Sequence, residues 1–246
     1  MVKRVLEPQR SAQQFMLVAV SDKDPDIRRE AVTRVARSKN YQDEWAIKGF
    51  IAIALLESDE QARCVAVRAL GRTDDTRAIQ TMLDILNYRD LPPAKVRPPG
   101  PLVRWDVADL LADQCARGMP AQFAEPARLA LLARLRTDSD RNVRAAAARG
   151  LGYCPHPDSV KSLIDGLRDE SFAVVHTCET ALVQLTGVTH DCDALSWDTW
   201  LEQNHDDPFA HAGDVPDSRK PHYTNRWGKM VYNTRQVFTW LFPGKK

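Results

Sequence analysis

A ten-residue pattern of apolar and small positions recurs along the first three quarters of the chain. It has the form apolar-Arg-x-x-small-apolar-x-x-apolar-small, and successive copies begin 35, 41, 40 and 31 residues apart, the fifth copy being weaker. The copies occupy residues 27–36, 62–71, 103–112, 143–152 and 174–183. Within each copy the apolar and small positions fall at i, i+4, i+5 and i+8, which predicts one face of an α-helix.

A second apolar run precedes each copy, and a turn rich in Asp, Ser or Pro separates the two. These runs occupy residues 15–20, 45–56, 79–86, 129–135 and 160–167. We predict five helical hairpins, in which the runs are the first helices and the ten-residue copies are the second helices. One hairpin cannot bury its apolar face alone, so the five are expected to stack. The small residues that let neighbouring helices approach closely would be Ala31, Ala66, Ala108 and Ala147.

The repeated pattern, with Asp in the turn and Arg after the first apolar residue, resembles the HEAT repeat, including the subclass named for phycobilisome lyases. The resemblance covers roughly residues 11–187. It implies an all-α fold, a right-handed α-solenoid of about five helix pairs. It also implies a structural ladder of arginines that meet turn carboxylates or carbonyl groups of adjacent repeats, with Val175 in the arginine's place in the fifth copy. The ladder would consist of Arg28, Arg63, Arg104 and Arg144.

Two segments depart from the regular stack. Residues 91–101 contain five prolines, which favour extended polyproline II, so we predict an inserted loop that is either a recognition element or a solvated spacer. After the fifth pair, Thr186-Gly187 ends the helix, and Trp197 and Trp200 lie one turn apart on a short helix that can cap the core. This ending resembles that of bacterial HEAT-repeat proteins of the planctomycete type.

The C-terminal region has a different pattern. We predict that the solenoid and its cap occupy residues 1–204, an irregular linker residues 205–226, and an amphipathic tail helix residues 227–242. The docking or membrane face of this helix would consist of Trp227, Met230, Val231, Val237, Phe238, Trp240, Leu241 and Phe242. Such a face packs against the chain's own solenoid, another protein or a membrane interface.

Charge separates the same two regions. Seven of the 34 Lys and Arg residues, and none of the 33 acidic residues, lie after Asp217, so residues 1–218 carry a net charge of −6 and the tail +7. An acidic body makes nucleic acid an unlikely partner over its whole length. The basic tail, residues 219–246, is suited instead to an anionic surface such as a membrane.

The composition of the chain indicates the cellular compartment in which we expect the protein. The chain is 43% hydrophobic and 27% charged, which is ordinary for a globular protein. It has neither a run of about 18 apolar residues that would span a membrane nor the apolar segment of a secretion signal. Five scattered cysteines indicate a reducing compartment. We expect a cytoplasmic protein with no cofactor, for which the tail offers a membrane contact.

The second helices of a HEAT solenoid line the inner wall of one long curved surface. Side chains at the second and sixth positions beyond the start of each copy are expected to face that groove. They include Arg29, Arg68, Trp105, Asp109, Arg149 and His176. We predict that Arg68, Trp105 and Arg149 are accessible to solvent on one concave face. The preferred hypothesis is a non-catalytic scaffold, assembly factor or adaptor that binds another protein there.

An enzyme is the first alternative. The segment from Trp105 to Asp109 resembles the Trp-Asp-x-x-Asp segment of the DNA alkylation-repair glycosylases, which are HEAT-like solenoids of similar size. That resemblance implies that Trp105 supports a cationic damaged base and that Asp109 stabilises positive charge on the sugar. The match is only five residues long, and the acidic body disfavours DNA. A peripheral membrane adaptor anchored by the tail is the second alternative.

The loops after the second helices of repeats four and five offer a metal site. Successive loops of a solenoid emerge on the same edge, so two Cys and two His side chains could converge on a tetrahedral Zn²⁺. They are Cys154, His156, His190 and Cys192. Their one-residue spacing is tighter than usual, and unrelated loop residues are the alternative. We expect the helical residues Cys64, Cys115 and Cys178 to be small core hydrophobes.

Overall fold

The structure, a computed structural model, describes residues 10–92 and 94–212. These residues contain eleven α-helices, a short 3-10 helix and no strand. The α-helices are α1 Ala12–Ser21, α2 Pro25–Arg37, α3 Glu44–Leu56, α4 Glu60–Leu70, α5 Thr76–Leu86, α6 Pro101–Arg117, α7 Ala121–Thr137, α8 Arg141–Leu151, α9 Pro157–Gly166, α10 Phe172–Thr186 and α11 Ala194–Gln203. The all-α fold and the five predicted helix pairs are confirmed. Within the described ranges, no helix is both long enough and apolar enough to cross a bilayer.

The pairs stack in two layers. In the second-helix layer, α2, α4, α6, α8 and α10 each pack against the next, and in the first-helix layer α1, α3, α5, α7 and α9 do the same. The predicted small residues of the second helices are all buried: Ala31, Ala66, Ala108 and Ala147. Short side chains at these positions let adjacent helices approach closely, as predicted. The result is a repeat solenoid with one continuous apolar core.

The aspartates of the turns have a local role that explains their recurrence. The carboxylates of Asp24, Asp59 and Asp140 accept hydrogen bonds from backbone N–H groups at the starts of α2, α4 and α8. The first N–H groups of a helix have no partner within the helix, so these caps stabilise the second helices. One aspartate in each of these three turns therefore fixes where α2, α4 and α8 begin.

The third pair lacks this aspartate, and a residue of the second pair replaces it. Glu60 of α4 accepts a hydrogen bond from the Leu102 N–H in the first turn of α6, and a Cβ at Gly100 would overlap the Glu60 carboxylate. Val96 is buried, and the Arg97 N–H donates to a carbonyl at the end of α3. The buried Val96 and these hydrogen bonds therefore anchor the second half of the predicted proline loop to the second pair, while Arg97 and Pro98 remain exposed.

The C-terminal end of the core is closed by α11, as predicted. Trp197 is fully buried, and Trp200 packs against it edge-on with ring centroids 5.3 Å apart. The buried Glu179 of α10 accepts hydrogen bonds from the Trp197 indole N–H at 2.7 Å and from the Cys192 backbone N–H at 3.2 Å. Glu179 thus organises the cap, a role that no sequence pattern indicated.

The segment after α11 extends this cap. Residues 205–212 form turns, yet Pro208 is buried and Phe209 packs against the core. The predicted linker is therefore irregular but already part of the solenoid end at these positions. The chain divides into the units Met1–Asp214 and Val215–Lys246. The rest of the predicted linker and the whole tail helix 227–242, with all eight residues of its docking or membrane face, lie outside the described residues.

Candidate functional site

The arginine ladder runs along the edge where the turns of adjacent pairs meet. Three of its members each donate two hydrogen bonds to a carboxylate in the turn of the next pair and further bonds to carbonyl groups of their own turn. These members are Arg28 with Glu57, Arg104 with Asp138 and Arg144 with Asp169, at 2.7 to 2.9 Å. Arg63 donates instead to the carbonyl groups of Ala54, Arg97 and Pro98. The predicted ladder is confirmed, with backbone acceptors at the proline segment.

The ladder keeps its carboxylates ionised although Asp138 is buried and Glu57 and Asp169 are half-buried. Burial alone would raise the pKa of Glu57, but the Arg28 guanidinium and neighbouring turn groups hold that pKa at about 2. Burial likewise opposes ionisation of Asp138 and Asp169, and the facing arginine outweighs it, so that both pKa values are lowered. Three of the four ladder arginines therefore form charged pairs that join one repeat to the next, which is a structural role.

The six predicted groove residues lie on the exposed side of the second-helix layer. We call this side the second-helix face. The six residues are Arg29, Arg68, Trp105, Asp109, Arg149 and His176, and all six are exposed or half-buried. At one end of this face Arg29 pairs with Asp59 of the next repeat at 2.9 Å. Towards the other end the His176 ring stacks on Phe172, with centroids 6.1 Å apart.

Ion pairs join the central helix α6 to both of its neighbours on this face. Arg68 of α4 pairs with Asp106 of α6 at 2.8 Å. Arg149 of α8 pairs with Asp109 and Asp113 of α6 at 2.7 and 2.9 Å. These arginines are more accessible than those of the ladder. The pairs of Arg149 with Asp109 and Asp113 are surface contacts, whereas Asp106, the partner of Arg68, is only 11% exposed.

Trp105 lies on α6 between those ion pairs. It is 40% exposed, and Leu102, one helical turn before it, is 47% exposed. The next residue, Asp106, pairs with α4, and Asp109, one turn further on, pairs with α8. An apolar centre with charged residues around it therefore occupies the middle of the second-helix face. Arg68, Trp105 and Arg149 are accessible to solvent.

Trp105 and Asp109, the pair of the glycosylase hypothesis, are both exposed and one turn apart. In that reaction the Asp109 carboxylate would have to stabilise a developing cation. It accepts a hydrogen bond from Arg149 at 2.7 Å, and Arg149 donates to the Asp109 backbone carbonyl as well. The site therefore offers an aromatic surface together with a carboxylate whose charge is already paired.

The structure does not bring the four predicted zinc ligands together. Cys154 and His156 line a cavity beside α6 and α7. His190 packs edge-on against the buried Trp197, in the cap that also contains Cys192. Across residues 10–92 and 94–212, no group of three or more His, Cys, Asp or Glu side chains is arranged to hold a metal ion.

Two of the three helical cysteines are core residues, and the third is not. Cys64 and Cys178 are buried, as predicted. Cys115 is only partly buried, and its Sγ lies 3.8 Å from the Sγ of Cys154 beside the same cavity. The sequence gave no signal for this pair because the two residues lie 39 positions apart in different repeats.

A match to one family model agrees with the repeat architecture. Residues 129–196 match the family model described as HEAT repeats, which covers most of the fourth and fifth pairs and the start of the cap. No sequence among the curated proteins matches this chain. Among solved structures, the chain is similar to the designed armadillo repeat protein YIII(Dq)4CqI. The TM-score is 0.49 and the identity 13%, over 82% of this chain and 94% of that one.

Proposed function

We propose that this chain is a non-catalytic scaffold that binds another protein through the second-helix face. Trp105 and Leu102 would be the apolar centre of the contact. The exposed indole of Trp105 on the central second helix is the observation that carries this proposal. Covering apolar surface yields about 25 cal/mol per Å². Tryptophan and arginine are also enriched among the residues that dominate binding energy at protein interfaces.

The charged residues around Trp105 support the same function. Arg149 holds Asp109 on the exposed side, where ion pairs contribute little to folding, and Arg68 is itself exposed although its partner Asp106 is largely buried. A partner that carries its own charged groups can form new pairs with these residues around the indole. A polar rim around an apolar centre is the usual composition of a protein interface. The partner we expect is a peptide segment with an apolar or aromatic anchor flanked by charged residues.

Selection from a displayed random-peptide library tests this proposal. Peptides are selected on the full chain, and their affinity is then compared for Trp105→Ala and Leu129→Ala. Leu129 is a matched control because it is 51% exposed but lies on α7, in the first-helix layer. We expect Trp105→Ala to abolish or strongly weaken binding and Leu129→Ala to leave it unchanged. A failure to select peptides, or equal binding by both variants, contradicts the proposal.

The two alternatives require their own measurements. The glycosylase hypothesis requires base release from duplex DNA containing alkylated purines, and this release must disappear in Trp105→Ala. The adaptor hypothesis rests on the charge of +7 and the six aromatic residues of residues 219–246, and it requires binding to anionic vesicles. Deletion of residues 219–246 would then abolish vesicle binding without lowering thermal stability, whereas a loss of stability would indicate that the tail packs on its own chain.

A further inference from the structure

Two cysteines from different helix pairs lie close enough to react with each other. Cys115 lies in the last turn of α6, and Cys154 lies in the turn that follows α8. Their Sγ atoms are 3.8 Å apart, and both residues are half-buried. A disulfide requires about 2.05 Å between sulfurs, so a small movement of two side chains would close the bond.

A cavity gives reagents access to this pair. It has a volume of about 400 Å³ and lies between the end of α6, the start of α7 and the turn after α8. Its lining includes both cysteines together with Met119, Arg128 and His156. This volume lies in the range of small-molecule sites. Buried cysteines such as Cys178 have no such access.

The surroundings distinguish the two thiols. The pKa of Cys154 is lowered, because a hydrogen bond shared with Cys115 and the positive charge of Arg128 both favour its thiolate. Burial and the negative charge of Glu125 act in the opposite direction and are outweighed. The same hydrogen bond and burial raise the pKa of Cys115. Arg128 is itself 6% exposed, and it is held at this place by its ion pair with Glu125. Because the positive charge of Arg128 favours a thiolate at Cys154, we assign the role of nucleophile to Cys154.

We propose that Cys115 and Cys154 form a dithiol site that reacts with a low-molecular-weight disulfide entering the cavity. The Cys154 thiolate attacks one sulfur of the disulfide RSSR, which forms a mixed disulfide and releases one RS⁻ that takes up a proton. Cys115 then gives up its proton and attacks the Cys154 sulfur, which forms the Cys115–Cys154 bond and releases the second RS⁻. In sum, two protein thiols are oxidised, and RSSR is reduced to two molecules of RSH. The bond ties the third helix pair to the fourth.

Glutathione disulfide is the probe that tests this site. The reduced full chain is incubated with it under native conditions, denatured and alkylated, and its mass is measured. The chain has five cysteines, so we expect three alkylated thiols after oxidation, with one crosslink between the peptides that contain Cys115 and Cys154. Five alkylated thiols, or a crosslink that involves Cys192 or a buried cysteine, would overturn the proposal.

Three variants distinguish the attacking thiol, Cys154, from the resolving thiol, Cys115. Cys115→Ser is expected to accumulate a glutathione adduct on Cys154, because no thiol is left to resolve it. Cys154→Ser is expected to react with glutathione disulfide at least about tenfold more slowly than the unmodified chain. Cys64→Ser is the control and should react at the same rate as the unmodified chain. Thermal melting confirms that each variant is folded, and Ala replaces Ser where it is not. An adduct on Cys115 at full rate in Cys154→Ser contradicts the assignment of the nucleophile.

Discussion

Arginine–carboxylate pairs occur in two regions of this molecule, with the same chemistry and different surroundings. In the ladder, the side chains of Arg144 and Asp169 are only 10% and 12% exposed. On the second-helix face, those of Arg149 and Asp109 are 36% and 52% exposed. The two arginines are neighbours on α8, five residues apart in the chain. Burial therefore decides whether such a pair holds repeats together or remains available to a partner.

The difference has an energetic consequence. Removing one partner of a buried ion pair leaves an uncompensated charge and costs about 3–5 kcal/mol. An exposed pair contributes about 0–1 kcal/mol because water and salt screen it. Substitutions in the ladder should therefore lower the stability of the fold strongly, while substitutions on the second-helix face should change binding with little effect on stability.

Arg144→Ala should have the largest effect. The substitution leaves the Asp169 carboxylate without its guanidinium and two carbonyl groups of the preceding turn without their donor. We expect the free energy of unfolding to fall by about 3–5 kcal/mol, measured by urea denaturation at pH 7. A loss below 1 kcal/mol would show that burial does not distinguish the two regions.

Arg63→Lys probes the place where the ladder meets the proline segment. Arg63 binds three carbonyl groups at once, and a lysine has no planar group to reach all three. We expect a loss of about 1–3 kcal/mol in the free energy of unfolding. Increased proteolysis within residues 91–101 should accompany it, and unchanged proteolysis would indicate that the segment is not held by this residue.

Acid should weaken the ladder. Because the pKa of folded Glu57 is about 2 and lies below its ordinary value, its contribution is complete above about pH 5 and is lost as the pH falls towards 2. Glu57→Gln should therefore be less stable than the unmodified chain at pH 7, and the difference should shrink through this window. Urea denaturation at several pH values measures it, and a constant difference contradicts the linkage.

Arg149→Ala should have the smallest effect on folding. Its ion pairs with Asp109 and Asp113 lie on the exposed side of the layer, so we expect a loss below about 1 kcal/mol. The same variant should bind a peptide selected on the second-helix face more weakly than the unmodified chain does. A loss of stability comparable to that of Arg144→Ala would show that Arg149 has the same structural role as the ladder arginines.

The repeat pattern predicts the helices and the positions of the second-helix face, and its resemblance to the HEAT repeat implies the ladder. Each of these depends on a periodic position, such as the arginine that follows the first apolar residue of a copy. Contacts made once, between distant residues, have no such pattern. Glu60 caps a helix 42 residues away, and Cys115 meets Cys154 across 39 positions. Glu179 was missed for a related reason, because a lone acidic residue on a helix normally indicates a solvated position.

Trp105→Ala tests the central claim most directly, because it removes the centre of the second-helix face without touching the ladder. Calorimetric titration with a selected peptide should show binding weaker by at least about 2 kcal/mol, or about 30-fold. In the same sample, circular dichroism should show a chain that remains folded at 25 °C. If the variant is folded and binds within about twofold of the unmodified chain, the second-helix face is not where this protein meets its partner.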